Sequence, residues 1–205
     1  MPLYRTEQEL FYFVHVPKCA GTTVTEYLAV RFGTAAFEDR AFRRDPPENP
    51  WTRSSPQHID ARNLERILPR EFYDSAAAIV RHPESRLVSA FKFQKRQKTI
   101  PRRMSLERWL YTLPRAQKKN AFVYDNHTRP MVEFLPKGCA WFKLEDGLGK
   151  FVDWLDNRFG PAPEGISLGH VKKSRETVEV SDKAKRLIVE RYAIDYETFG
   201  YGTAP

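Results

Sequence analysis

The sequence predicts an α/β chain, three layers with a central parallel sheet flanked by helices. Three observations point there. Apolar, aromatic or β-branched runs at 10–16 (LFYFVHV), 75–80 (SAAAIV) and 139–144 (CAWFKL) have the length and composition of buried strands. Apolar residues at helical spacing follow each run, and strands alternating with helices imply a parallel sheet covered on both faces. The chain's 205 residues, 41% hydrophobic and 13% aromatic, suffice for one substantial core.

Taken in order, the first strand ends at Pro17, and Val24, Tyr27, Leu28 and Arg31 recur at helical spacing, so a helix opens straight after Gly21. Residues 35–57 carry Pro46, Pro47, Pro50 and Pro56 among charges and read as an irregular loop inside a single domain spanning 1–205. Asp60 is placed to cap a short helix with Leu64, Ile67 and Leu68 on one face, stopped at Pro69. Pro83 suits a first helical position, and Leu87, Ala90, Phe91 and Gln94 continue that helix. Residues 104–111 read as helical, and 115–135 as mostly helical without a clear division. Leu148, Phe151, Val152, Leu155 and Phe159 mark an amphipathic helix ended by Gly160. Ala184, Leu187, Ile188 and Tyr192 repeat that logic near the C-terminus.

Composition narrows the function. Two cysteines, Cys19 and Cys139, are too few for a disulfide framework or a four-ligand zinc site. No apolar run approaches the roughly 20 residues of a membrane span. The opening MPLYRTE lacks a signal-peptide layout, so the expectation is a cytoplasmic protein. With 34 Lys+Arg against 26 Asp+Glu the net charge is +8, which favours anionic partners. Residues 92–103 hold six cations and no carboxylate, and 172–175 (KKSR) form a second cluster. No helix-turn-helix, RRM or zinc-finger pattern accompanies them, so no specific nucleic-acid partner is expected.

The most informative stretch is 13–23 (FVHVPKCAGTT), a strand running through a tight loop into a helix. Free N–H groups and the positive dipole end at such a helix start bind anions. Gly21 permits close approach, Thr22 and Thr23 supply hydroxyls, and Lys18 adds a point charge. A Walker A loop would place its lysine after the last glycine, whereas here Lys18 precedes Gly21. The second strand runs into Arg81 and His82 where a magnesium-binding Asp would stand, so a second phosphate suits this place better than a metal.

PKCAGTT after one strand and VRHPESRLVSAF after another resemble the two cofactor loops of sulfotransferases, closest to the carbohydrate branch of sulfotransferase family 2, the heparan 2-O- and chondroitin-type enzymes. The resemblance spans roughly 11–201 in order and implies a P-loop-like fold, 3′-phosphoadenosine 5′-phosphosulfate (PAPS) as donor, PAP as product, no metal, and a hydroxyl-bearing acceptor such as an acidic saccharide. The short length, unlike that of the family's Golgi enzymes, suggests a bacterial setting. It places the 5′-phosphosulfate on the loop of Lys18, Cys19, Ala20, Gly21, Thr22 and Thr23, and the 3′-phosphate on Arg81 and Ser89. Glu84 and Arg86 read as helix-surface charges, with cofactor contact an alternative for Arg86. Asp125-Asn126-His127-Thr128-Arg129 resembles an acceptor-site stretch, implying substrate roles for Asn126, His127 and Arg129. His170-Val171-Lys172-Lys173-Ser174 resembles a loop closing over the cofactor through Lys173 and Ser174, although Lys172 stands where the family usually has Asn.

Of the five histidines, His58 is the candidate base, lying between the two loops where the resembling enzymes place one. Its unperturbed range suits general-base work. A capping or surface role is the bland alternative, and Glu38, Asp39 or Asp60 is the fallback base. His15 reads as a core residue and His82 as orienting its turn. Lys18 is the candidate to stabilise the leaving phosphate. Cys19, beside Lys18 at a helix start, is expected to have a lowered pKa and to block the site when alkylated. The rivals are a nucleotide kinase or NTPase, a basic polyanion-binding module, and a family member that binds cofactor without transferring sulfate.

Overall fold

Six small or β-branched side chains in succession allow helices to close on both faces of the 75–80 strand, and all six are buried. In the computed structural model, which describes residues 1–169 and 177–202, the sheet order is β1 (Leu3–Arg5), β2 (Leu10–Val14), β3 (Ser75–Val80) and β4 (Ala140–Lys143). β2, β3 and β4 are parallel, with Phe11 opposite Ser75 and Ala77 opposite Ala140. β1 is an antiparallel edge strand that pairs Leu3 with Tyr12. Three residues are too few to show alternation, so the sequence carried no signal for it.

The helices are α1 (Gly21–Phe32), α2 (Ala61–Glu65), α3 (Pro83–Arg96), α4 (Leu106–Lys119), α5 (Gly149–Phe159), α6 (Asp182–Arg191) and α7 (Ala193–Phe199). Alternation along β2 sorts the layers. Phe11 meets Phe32, Trp154 and Phe159, and Phe13 meets Phe151, so that face packs on α1 and α5. Tyr12 points the other way, onto Tyr73. A second core joins Leu87 and Phe91 of α3 to Trp109 and Leu113 of α4, Ile188 of α6 and Tyr196 of α7. Among the described residues no helix is long and apolar enough to cross a membrane.

Asp60 caps α2 as expected, accepting from the Asn63 N–H at 3.1 Å. That helix stops at Glu65, however, and Ile67 is exposed while Leu64 and Leu68 are buried. The 115–135 region also differs from the expected helix. α4 ends at Lys119, and only single helical turns follow at Val123–Asn126 and Met131–Phe134. Tyr124, Asp125 and Asn126 all take positive φ (57°, 57° and 62°), a run that breaks any helix there.

Arg86 corrects the sequence reading most sharply. It is not a surface charge, because its side chain is wholly buried. Its Nε donates to the Pro17 carbonyl (3.0 Å), Nη1 to Arg129 (2.8 Å) and Nη2 to His127 (3.4 Å). Burial pushes the pKa of nearby Asp195 up, the Arg86 charge opposes that rise, and Asp195 accepts the Met131 and Val132 N–H groups at 2.8 and 3.0 Å. Helix α3, the first loop and the turn after Asn126 are thereby tied to one cation. Removing it leaves buried acceptors unpaired, so Arg86→Ala should lower the unfolding free energy by roughly 3–5 kcal/mol in urea titration. A loss under about 1 kcal/mol would show that the three carbonyls find other partners.

Candidate functional site

Val14 ends β2, and the chain must turn within six residues to enter α1. Lys18 and Ala20 achieve this with positive φ (68° and 64°), on either side of Cys19. Alternating left-handed residues of this kind turn successive N–H groups toward one point, an anion-binding concavity. α1 has no side-chain cap and no acidic residue in its first turn, so nothing of its own neutralises its positive end. Gly21, Thr22, Thr23, Ala20 and Lys18 all line a cleft of about 1580 Å³. Ordinary small-ligand pockets hold roughly 300–1,000 Å³, so this cleft exceeds the usual size.

Arg81 follows β3 directly and reaches back, donating through Nη1 to the Lys18 carbonyl at 3.3 Å. With Ser89, two turns along α3, it lines the same cleft. The two loops that the sequence singled out are thus one surface. His82 is held by its backbone, its N–H donating to Glu145 at 2.8 Å, while its ring packs on Tyr196 and Tyr201. Lys18 extends over the Phe93 ring, 4.2 Å from its centroid. Burial, and then the charges of Arg96 and Arg81, bring its pKa down to about 8. This surplus of positive charge fits an anionic ligand.

Across the cleft, the turn Pro56–His58 presents His58. Its Nδ1–H donates to Asp125 Oδ2 at 2.8 Å, and Ser55 adds its N–H to Oδ1 (2.6 Å) and its hydroxyl to Oδ2 (2.7 Å). Burial opposes a charge on Asp125, but the His58 and Ser55 hydrogen bonds outweigh it and hold the carboxyl well below its usual range. A carboxylate has no proton to give, so Nδ1 carries the hydrogen, and the neutral ring in that tautomer has its lone pair on Nε2. Asp125 sits 67 residues away in sequence, and only its acidic type inside the 125–129 stretch could have pointed to it. The left-handed backbone at 124–126 aims it at His58.

Other expected residues fall into place differently. His127 lines the cleft, its ring 5.0 Å from His58 and 4.9 Å from Phe93, with Nδ1 3.3 Å from Gln94 Nε2. Asn126 and Arg129 stand behind His58 rather than on the cleft wall. Asn126 Nδ2 donates to the His58 carbonyl (2.9 Å), and Arg129 Nε donates to Asn126 Oδ1 (2.9 Å). Cys19 is corrected as well. Its thiol is buried against Met131, and burial pushes its pKa up to about 12 despite Arg86 and Arg81, so it is neither acidic nor open to alkylation. The fallback bases are occupied: Asp60 caps α2, Asp39 accepts the Ala41 and Phe42 N–H groups, and Glu38 pairs with Arg40. His170, Lys172, Lys173 and Ser174 lie outside the described residues, although Ile166, Ser167 and Gly169 just before them line the cleft.

Among the described residues, His58, Asp125 and His127 bring ligand-type atoms within 4.8 Å of one another, the donor set of a metal site. Both Asp125 oxygens are already engaged by Ser55 and His58. After burial and His58, the Lys18 charge is the strongest influence opposing a proton on His127, with Arg86 adding to it, and the same charges oppose a cation. The arrangement fits proton transfer beside an anion better than metal binding.

A family model described as Sulfotransferase family matches residues 2–146, a span that holds both loops, His58 and Asp125. No curated protein and no solved structure matches the chain.

Asp125 gives the site a pH signature. A carboxyl whose folded pKa is depressed stabilises the fold above its unfolded value of about 3.9, and that gain is lost as pH falls through the folded value. Between about pH 5 and pH 2, Asp125→Asn should lose roughly 1–2 kcal/mol less stability than wild type in urea titrations. Parallel losses in the two proteins would mean that Asp125 is not held ionised by His58 and Ser55.

Proposed function

The chain belongs to the sulfotransferase family, and from that premise we propose that it moves a sulfuryl group from PAPS to an acceptor hydroxyl with His58 as general base. One observation carries the reading: a His–Asp pair and an uncapped helix start beside a lysine face the same cleft. When bound, PAPS supplies an activated sulfuryl group. The 21–23 amides, the Thr22 and Thr23 hydroxyls and Lys18 would hold its 5′-phosphosulfate. Arg81 and Ser89 would hold the 3′-phosphate. Lys173 and Ser174 belong to this proposal through the sequence resemblance alone.

Sulfuryl transfer needs in-line placement, a proton acceptor and stabilisation of the charge left on phosphate. His58 Nε2 is the proton acceptor. As the acceptor oxygen bonds to sulfur its proton passes to Nε2, and Asp125 stabilises the imidazolium that forms. Lys18 sets a positive charge on the phosphate side, where the bond to the leaving oxygen breaks. Arg43 and Arg44 line the cleft and are exposed, which suits an anionic acceptor such as an acidic saccharide.

Calorimetric titration with PAP in the absence of magnesium tests the donor site. Wild type should bind, and Arg81→Ala should bind about 10–100-fold more weakly, as expected for loss of a charge-assisted hydrogen bond. No heat of binding to folded wild type would overturn the reading and favour a polyanion-binding module. With an acceptor in hand, His58→Ala should lower turnover by roughly 10²–10⁴-fold. Unchanged turnover would remove His58 from the mechanism.

A further inference from the structure

Gly21 has ordinary helical backbone at the first position of α1, and its φ is not positive. Conformation therefore does not demand glycine, which is a poor helix former. Space does. A Cβ on Gly21 would lie 2.0 Å from His15 Nε2, 2.1 Å from Cδ2 and 2.7 Å from Cε1, distances that no packed side chain tolerates. The imidazole edge of His15 thus occupies the room that a residue other than glycine would fill.

The rest of the His15 surroundings give it a direction. His15 is 9% exposed and lines the cleft, and its buried Nδ1 has no hydrogen-bond partner among the described residues. A core histidine normally satisfies its ring nitrogens, so hydrogen bonding does not explain this residue. Its ring lies against His58 instead, with centroids 5.0 Å apart and planes at 86°. His127 closes on His58 from 5.0 Å as well, and Asp125 holds Nδ1. Burial, and then the nearby His58, keep His15 uncharged, so a second cation does not arise beside the base.

We propose that His15 is a positioning residue, the spacer that fixes His58 against the first loop, and that Gly21 is glycine to make room for it. The role of His58 in this proposal rests on the sulfotransferase reading, whereas the collision at Gly21 does not. A glycine retained for close phosphate approach and one retained for His15 predict opposite behaviour in a double variant.

The experiment compares wild type, Gly21→Ala, His15→Ala and the double variant by PAP calorimetry and thermal melting. Gly21→Ala should weaken PAP binding by about 30-fold or more, or lower the melting temperature by about 5 °C or more. The double variant should return to within about fivefold of His15→Ala alone. If Gly21→Ala behaves as wild type, or the double variant is as impaired as Gly21→Ala, the spacer role is overturned. Wild type that fails to bind PAP tells against the sulfotransferase reading, and the melting comparison then decides the present one. A second readout is the ¹⁵N spectrum of the His58 ring, which reports its tautomer. Wild type should show the Nδ1–H form, and folded His15→Ala should show a mixture. Unchanged His58 resonances would reduce His15 to a core residue. His15→Asn repeats the comparison if His15→Ala does not melt cooperatively, and failure of both to fold overturns the positioning role.

Discussion

A guanidinium buried among backbone carbonyls is the constraint on which this molecule depends. Arg86 holds Pro17 from the first loop and His127 and Arg129 from the turn before Met131, all from one position on α3. The planar fork of arginine reaches three acceptors in different directions, which a lysine ammonium on a flexible stem would not hold in fixed geometry. Desolvating that charge is costly, and the three carbonyl dipoles with nearby Asp195 offset the cost. The first loop and the segment carrying Asp125 and His127 are therefore tied to each other through this side chain.

The site follows from that placement. Once the 127–129 turn is pinned, the chain entering it must reverse sharply, and it does so through three consecutive left-handed residues. Asp and Asn tolerate that backbone better than most residues, while Tyr124 does so at some strain. The reversal turns Asp125 toward Ser55 and His58 on an otherwise irregular loop. Gln57 secures the same loop by exchanging hydrogen bonds with the Asp39 backbone. A histidine on a proline-rich segment thus acquires the fixed geometry that regular secondary structure usually supplies.

The parallel strands were legible because each is a short, continuous apolar run, and the two loops because Lys18, Gly21, Thr22, Arg81 and Ser89 follow strand ends in a recognisable order. As a candidate, His58 was legible from its position between them. Its partner was not, since nothing in the spacing of residues 58 and 125 foretells that a strained turn joins them. Arg86 and Cys19 were misread for a related reason. Local sequence shows a charge on a helix and a thiol at a helix start, but burial is decided by what packs on top. The edge strand β1 and the broken helix after Lys119 escaped notice because tertiary contacts, not periodicity, define them.

The central claim is that one cleft holds a sulfuryl donor with its reactive end between α1 and His58. A crystal structure of the protein with PAP tests this most directly. The account predicts the 5′-phosphate within about 3 Å of the amides at 21–23 and of Lys18, with the 3′-phosphate on Arg81 and Ser89. PAP bound elsewhere, or with its two phosphates exchanged between the loops, would contradict it.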